Sequence, residues 1–229
     1  MKVQDQQKKE VGYTAVKLIK DNMVVGLGTG STVKFLLDAL GKRVQKEGLN
    51  VVGVATSNRT RNYGEKLGIK FKSLDDVNSI NLTIDGADEV DHQLNGIKGG
   101  GGALTWEKLV AVNSKDYVWI VDDSKVVNHL GKFPLPVEVL EYGHHQLFSR
   151  MKKLGYHPTL RKIGEKVFKT DEGNLIFDLH LNRINSPEIL ADKLSNMTGV
   201  VEHGLFLNMA KSVIVGGNNG VKTLDREEN

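Results

Sequence analysis

The sequence predicts an α/β protein: a doubly wound, mostly parallel sheet into which a smaller α+β unit is inserted. Two observations carry this expectation. Up to about residue 131, short apolar strands alternate with amphipathic helices, the pattern of a parallel sheet covered on both faces. From Lys132 the order becomes strand, helix, hairpin, helix, strand, before the apolar run SVIVGG (212–217) returns the chain to the first domain. The expected division is 1–131 plus 206–229 for the larger domain and 132–205 for the insertion.

Each element has its own reason. Residues 4–20 read as a helix, because Val11, Ala15, Leu18 and Ile19 share one face despite Gly12. Met23–Val25 is a short strand that ends in GLGTGST, and Thr32–Lys46 is a helix carrying Phe35, Leu36, Ala39 and Leu40. Val51–Ala55 and Arg59–Leu67 repeat the strand–helix step. INLTI (80–84) is a strand running directly into DGADEVD, Ala103–Val112 a helix, and YVWIV (117–121) another buried strand. In the insertion, KFPLPVEV is extended, with two prolines and alternating valine, and Gln146–Leu154 is helical. KVFKTDEGNLIFDLHL reads as a hairpin turning at Asp171–Asn174. Ser186 and Pro187 suit the N-cap and N1 positions of a helix reaching Ser195, and Val200–His203 is a short final strand.

Composition excludes several classes. The 229 residues carry 31 basic and 28 acidic side chains, a net charge of +3 spread along the chain and not gathered on an arm, which argues against a nucleic-acid partner. No apolar run approaches the roughly 20 residues of a membrane span, so no membrane partner is expected. The N-terminus is polar and mixed in charge, unlike a signal or transit peptide. With no cysteine, thiolate chemistry and cysteine-based zinc sites are excluded, and a cytoplasmic address is expected. His144 and His145 are adjacent, which does not match metal-ligand spacing.

Three segments carry chemistry, each at the C-terminal end of an expected strand, where open α/β sheets hold ligands. In GLGTGST (26–32), glycines admit an anion close to backbone N–H groups at a helix N-terminus. The segment is either a phosphate cradle or a tight turn without a ligand. Ser31 stands where a dinucleotide fingerprint needs a third glycine, and the next strand ends without an acid. No lysine precedes the Ser/Thr as a P-loop requires. In DGADEVD (85–91), four acids in seven residues suit acid–base work, although a solvated turn or a divalent-metal site would use the same composition. In KGGGGALTWEK (98–108), four consecutive glycines are costly to order and provide a nest of amides for developing negative charge, with Lys98 beside it. Glu107 follows in the first turns of the next helix, where an unremarkable glutamate would simply be exposed.

Together, GLGTGST, DGADEVD and KGGGGALTWEK, in this order and spacing, resemble the ribose-5-phosphate isomerase A family. The resemblance continues through DDSKVVNHLGKFPLPVEV and GVKTL and covers nearly the whole chain, more loosely over 140–200. It implies a Rossmann-like domain with an inserted ferredoxin-like domain, a homo-oligomer with a dimer favoured, and neither cofactor nor metal. By matching motifs it implies Glu107 as general base, with Asp85, Asp88 and Lys98 assisting ring opening and stabilising the intermediate. Substrate contacts are implied for Thr29, Gly30, Ser31 and Thr32, for Asp85, Gly86, Ala87 and Asp88, and for Lys98, Gly99, Gly100 and Gly101. Lys125, within DDSK, is implied as a further substrate-side lysine, and Lys8, with Lys9 beside it, as a phosphate contact. The implied reaction interconverts ribose 5-phosphate and ribulose 5-phosphate by proton transfer through an enediolate. The alternative is a sugar-phosphate-sensing domain that binds without turnover; such regulators carry a DNA-binding helix-turn-helix, for which 229 residues leave no room beside this domain.

Overall fold

The structure, a computed structural model, describes residues 3–226. In chain order it begins with α1 (Val3–Ala15), β1 (Val24–Leu27), α2 (Ser31–Glu47), β2 (Val52–Ala55), α3 (Asn58–Lys66), β3 (Lys70–Phe71) and β4 (Ile80–Asp85). The short strands β5 (Glu89–Val90) and β6 (Gly96–Ile97) precede α4 (Leu104–Val112), β7 (Ser114–Asp122) and β8 (Leu135–Val139). Then come α5 (His144–Lys153), β9 (Pro158–Leu160), β10 (Lys162–Ile163), β11 (Lys166–Val167), β12 (Leu175–Leu179) and α6 (Pro187–Ser195). The chain closes with β13 (Val200–His203), β14 (Leu205–Phe206), β15 (Ser212–Gly217) and β16 (Gly220–Asp225). The helix expected over 4–20 is regular only to Ala15 and then tightens into a 3₁₀ turn over Val16–Leu18.

Two compact units result. The first comprises residues through Ala87, Trp106–Val126 and the chain from Asn208; the second comprises Asp88–Thr105 and Val127–Leu207. Residues 88–105, assigned to the first domain on sequence pattern, group with the second unit because β5 and β6 pair with β14 in a small separate sheet.

The first unit is built on a seven-stranded sheet of order β16-β15-β7-β4-β1-β2-β3, parallel except for β16. Strand order reverses between β1 and β4, the switch point at which such sheets open a ligand crevice beyond their C-terminal edge. Parallel strands are buried on both faces, which is why they read as continuous apolar runs. One face meets Val11, Ala15 and Ile19 near the N-terminus and Leu36, Leu37 and Leu40 of α2. On the other, Val110 of α4 packs with Val54 and Ile80.

The second unit holds an antiparallel sheet of order β13-β8-β12-β9 with α5 and α6, the strand order of a ferredoxin-like βαββαβ unit. Its core gathers Val137, Val139, Leu147, Met151, Phe177 and Leu194. The hairpin expected over 166–181 forms differently. The turn is present, with Gly173 N–H donating to Thr170 O at 2.9 Å, but the flanking strands do not pair. Lys166–Val167 pairs with Lys162–Ile163, whereas Leu175–Leu179 lies between β8 and β9. Burial decides this: Leu175, Ile176, Phe177 and Leu179 are buried, and exposed Lys166 and Val167 offer no apolar face to a central strand. Ser186 occupies the N-cap position of α6 with Pro187 following, but its side chain makes no capping bond.

Candidate active site

Within the first unit, the C-terminal ends of β1 and β4 are joined by a buried carboxylate. Asp85 is fully buried, and its Oδ1 accepts from Thr29 N–H at 2.9 Å and Gly86 N–H at 2.7 Å, while Tyr117 Oη lies 3.4 Å from Oδ2. Gly28 is required here by close approach, since a Cβ on it would stand 1.9 Å from Asp85 Oδ1. The Thr29 hydroxyl belongs to a buried cluster, 2.8 Å from both Thr56 Oγ1 and Ser57 Oγ, and Thr60 Oγ1 donates to Gly28 O at 2.8 Å. These bonds hold the turn in shape and commit Thr29 to support. Gly30 follows with φ of 138° as the N-cap of α2, leaving the first-turn N–H groups and the exposed Ser31 at the helix mouth.

Glu107 stands in the first turn of α4 and is only 4 % exposed. An ordinary surface glutamate is thereby ruled out, because burying a carboxylate without a purpose is costly. Lys125 is half-buried in the 3₁₀ turn Asp123–Lys125 directly beyond β7. Lys8 is half-buried, one helical turn from Gln4, whose amide donates to Asp122 Oδ1 at 3.2 Å at the end of β7. Lys9 is exposed, with its ammonium 5.9 Å from the Tyr13 ring centroid.

Within the second unit, the glycine run is organised around Asp88. Gly100 N–H donates to Asp88 Oδ2 at 2.7 Å, and a Cβ on Gly100 would stand 2.6 Å from Asp88 Oδ1. Gly99 adopts φ of 102°, open to glycine and strained for other residues. Lys98 is 1 % exposed; its N–H donates to Gly204 O at 2.9 Å and its ammonium sits 5.5 Å from the Phe206 ring centroid. The other acids of the run serve structure. Glu89 accepts from Gly131 and Phe133 N–H at 2.7 and 2.6 Å, and Asp91 Oδ1 accepts from Gln93 and Asn95 N–H, both at 2.9 Å. Among the described residues no group of three or more His, Asp or Glu side chains is arranged to hold a metal ion.

Gly28 to Thr32, Asp85, Glu107, Lys125 and Lys8 thus belong to one unit, and Asp88, Lys98 and Gly99 to Gly101 to the other. Tyr117 and the hydroxyl of Thr56 carry no local signal in the sequence. Tyr117 is hidden in an apolar run, and its partner Asp85 lies 32 residues away.

Comparison with known proteins identifies the family. Residues 52–220 match the family described as ribose 5-phosphate isomerase A (phosphoriboisomerase A). A protein named ribose-5-phosphate isomerase A from Bifidobacterium longum (strain NCC 2705) is 56% identical over 222 residues, spanning 96% of this chain and 96% of that relative. Its namesake from Lactiplantibacillus plantarum is 54% identical over 222 residues, spanning 97% and 98%. Among solved structures, ribose 5-phosphate isomerase from Plasmodium falciparum matches with a TM-score of 0.94 at 37% identity, covering 98% of this chain and 100% of that one. A D-ribose-5-phosphate isomerase in complex with phospho-erythronic acid matches with a TM-score of 0.93 at 37% identity, covering 96% and 98%.

Proposed function

The chain belongs to the ribose 5-phosphate isomerase A family, and from that premise we propose that it interconverts ribose 5-phosphate and ribulose 5-phosphate by proton transfer on its own side chains. The observation that carries the mechanism is the buried carboxylate of Glu107, in the helix that follows the glycine run. Glu107 takes the proton from C2 and returns it to C1. Asp85, Asp88 and Lys98 move protons at the ring oxygen, O1 and O2, and the amides of Gly99 to Gly101 with Lys98 stabilise the enediolate. Chain continuity supports their acting on one substrate. Asp85 and Asp88 are three residues apart, so their Cα atoms lie within about 11 Å.

The N-terminus of α2, with Gly30, Ser31 and Thr32, takes the phosphate, and Lys125 and Lys8 add charge. Gly86 and Ala87 line the substrate through their backbone. Thr29 contributes by fixing the cradle. Replacing Ser31 and Thr32 together by alanine is expected to raise KM for ribose 5-phosphate about 10-fold or more, with a smaller change in kcat. Unchanged kinetics would make the loop a turn and nothing else.

The related isomerase solved with phospho-erythronic acid supports this reading, because the planar anionic carboxylate of that ligand resembles an enediolate. The same acid is a fitting probe for this chain. The pentose phosphate pathway, a cytoplasmic address and a homodimer complete the proposal. Exposed apolar side chains such as Leu109, Val112 and Ile189 support self-association, and no helix among the described residues is long and apolar enough to cross a membrane.

Turnover in deuterated water tests the reaction. A proton held on Glu107 exchanges with solvent, so deuterium is expected at C1 of ribulose 5-phosphate, with activity surviving thorough chelation. Activity lost on chelation and restored by a divalent ion, without solvent label, would replace proton transfer by hydride transfer. Binding of ribose 5-phosphate without any turnover would establish the sensor alternative.

A further inference from the structure

We infer that Arg161, held by Asp178, is a positioning residue that aims the amides of the glycine run, a role resting on the isomerase reading above. Arg161 Nη1 donates to Gly99 O at 2.7 Å and to Gly100 O at 3.3 Å. Its Nε donates to Asp178 Oδ2 at 2.9 Å, and its Nη2 donates to Asp178 Oδ1. All these residues, and Asp88, belong to the second unit. The pair is largely buried, with side-chain exposures of 13% and 18%, and the guanidinium lies 5.9 Å from the Phe168 ring centroid.

The geometry gives Arg161 a specific task. A trans peptide is planar, and its C=O and N–H point in opposite directions. The peptide unit joining Gly99 to Gly100 accepts from Arg161 at its oxygen and donates to Asp88 Oδ2 at its nitrogen, each across 2.7 Å. One peptide plane therefore connects the guanidinium to a carboxylate assigned to proton transfer. The next unit repeats the pattern. Gly100 O faces Arg161, so Gly101 N–H faces the opposite way, available to an enediolate oxygen. Glycine peptides have little intrinsic preference for direction, and within the run the turn is closed by Gly102 N–H donating to Gly99 O at 2.9 Å. Nη1 of Arg161 adds a second donor to Gly99 O and reaches Gly100 O as well, and its charge on the carbonyl oxygens strengthens the N–H groups as donors. Asp178 holds the fork in place by a two-point contact that lysine cannot reproduce.

The test is the double variant Arg161→Leu/Asp178→Leu. Exchanging a buried ion pair for apolar volume generally preserves the fold, and it removes the guanidinium from both carbonyls while leaving the Gly102 N–H bond to Gly99 O in place. The expected result is a 10- to 100-fold lower kcat with KM for ribose 5-phosphate within about 3-fold of wild type, the scale of a misaimed catalytic group. Affinity for phospho-erythronic acid should fall in parallel with kcat, which a purely structural pair would not produce. Should the double variant fold poorly, Arg161→Lys retains the charge but not the fork and is expected to lose about 5-fold or more in kcat. A kcat and an analogue affinity within about 2-fold of wild type in the folded double variant, or in Arg161→Lys, would overturn the inference. Wild-type turnover of ribose 5-phosphate in the same assay tests the isomerase reading separately, so the two failures are distinguishable.

Discussion

Glu107→Gln is expected to lower kcat for ribose 5-phosphate by about three orders of magnitude, within the range that a positioned general base supplies. The amide keeps the size and shape of the carboxylate but has no basic oxygen. Ground-state binding depends on other groups, so the dissociation constant for ribose 5-phosphate should stay within about 5-fold of wild type. The side chain is nearly enclosed in the first turn of α4, where a neutral replacement costs the fold little. Thermal unfolding of the variant should therefore match the wild type. Retention of more than about a tenth of wild-type kcat would remove Glu107 from the role of base, because no such residue is dispensable to that extent.

Gly28→Ala is expected to damage both stability and turnover. The added methyl would stand 2.2 Å from Asp85 Cγ and 2.6 Å from Asp85 Cα. The first clash could be relieved by rotating a side chain, but the second is with backbone, so β1 and β4 would have to separate. Overpacking of this kind costs about 3 kcal/mol or more, which for a chain of this length is about 6–12 °C in Tm. The displaced carboxylate would also lose its bonds to Thr29 and Gly86, so turnover should fall even where the variant stays folded. Gly86→Ala is the matched control, since the nearest atom to its added methyl is 3.7 Å away. Equal stability of the two variants in urea unfolding would show that the approach of β1 to β4 is not as close as described.

The larger unit was legible in the sequence because parallel strands announce themselves. VVGL and YVWIV are apolar throughout, INLTI is apolar at three of its five positions, and each is followed by a glycine or an acid. Strands on the sheet's margins do not follow that rule. Lys70–Phe71 is too short to carry a pattern, and GVKTLD is mostly exposed, so neither was read as a strand. The 166–181 segment was mispaired because alternation identifies a strand but not its neighbour, and the buried Leu175–Leu179 had two better partners elsewhere. The candidate site shows the same division. Glycines and acids concentrated in short motifs could be recognised locally, whereas the burial of Glu107 is a property of the folded chain. Arg161 acts on Gly99 from 62 residues away, and no local signal marks it.

The two margins of the seven-stranded sheet bear on how the protein behaves when concentrated. An open row of backbone N–H and C=O groups invites another chain to add a strand, and β15, with Val213, Ile214 and Val215 buried, would be an adhesive template if left bare. Six residues of β16 pair along it and turn Lys222, Thr223 and Asp225 outward. At the opposite margin β3 offers only two residues, one of them the exposed Lys70. The sheet is thus finished at both ends, and resistance to edge-to-edge association is supplied by the polar residues of the last hairpin.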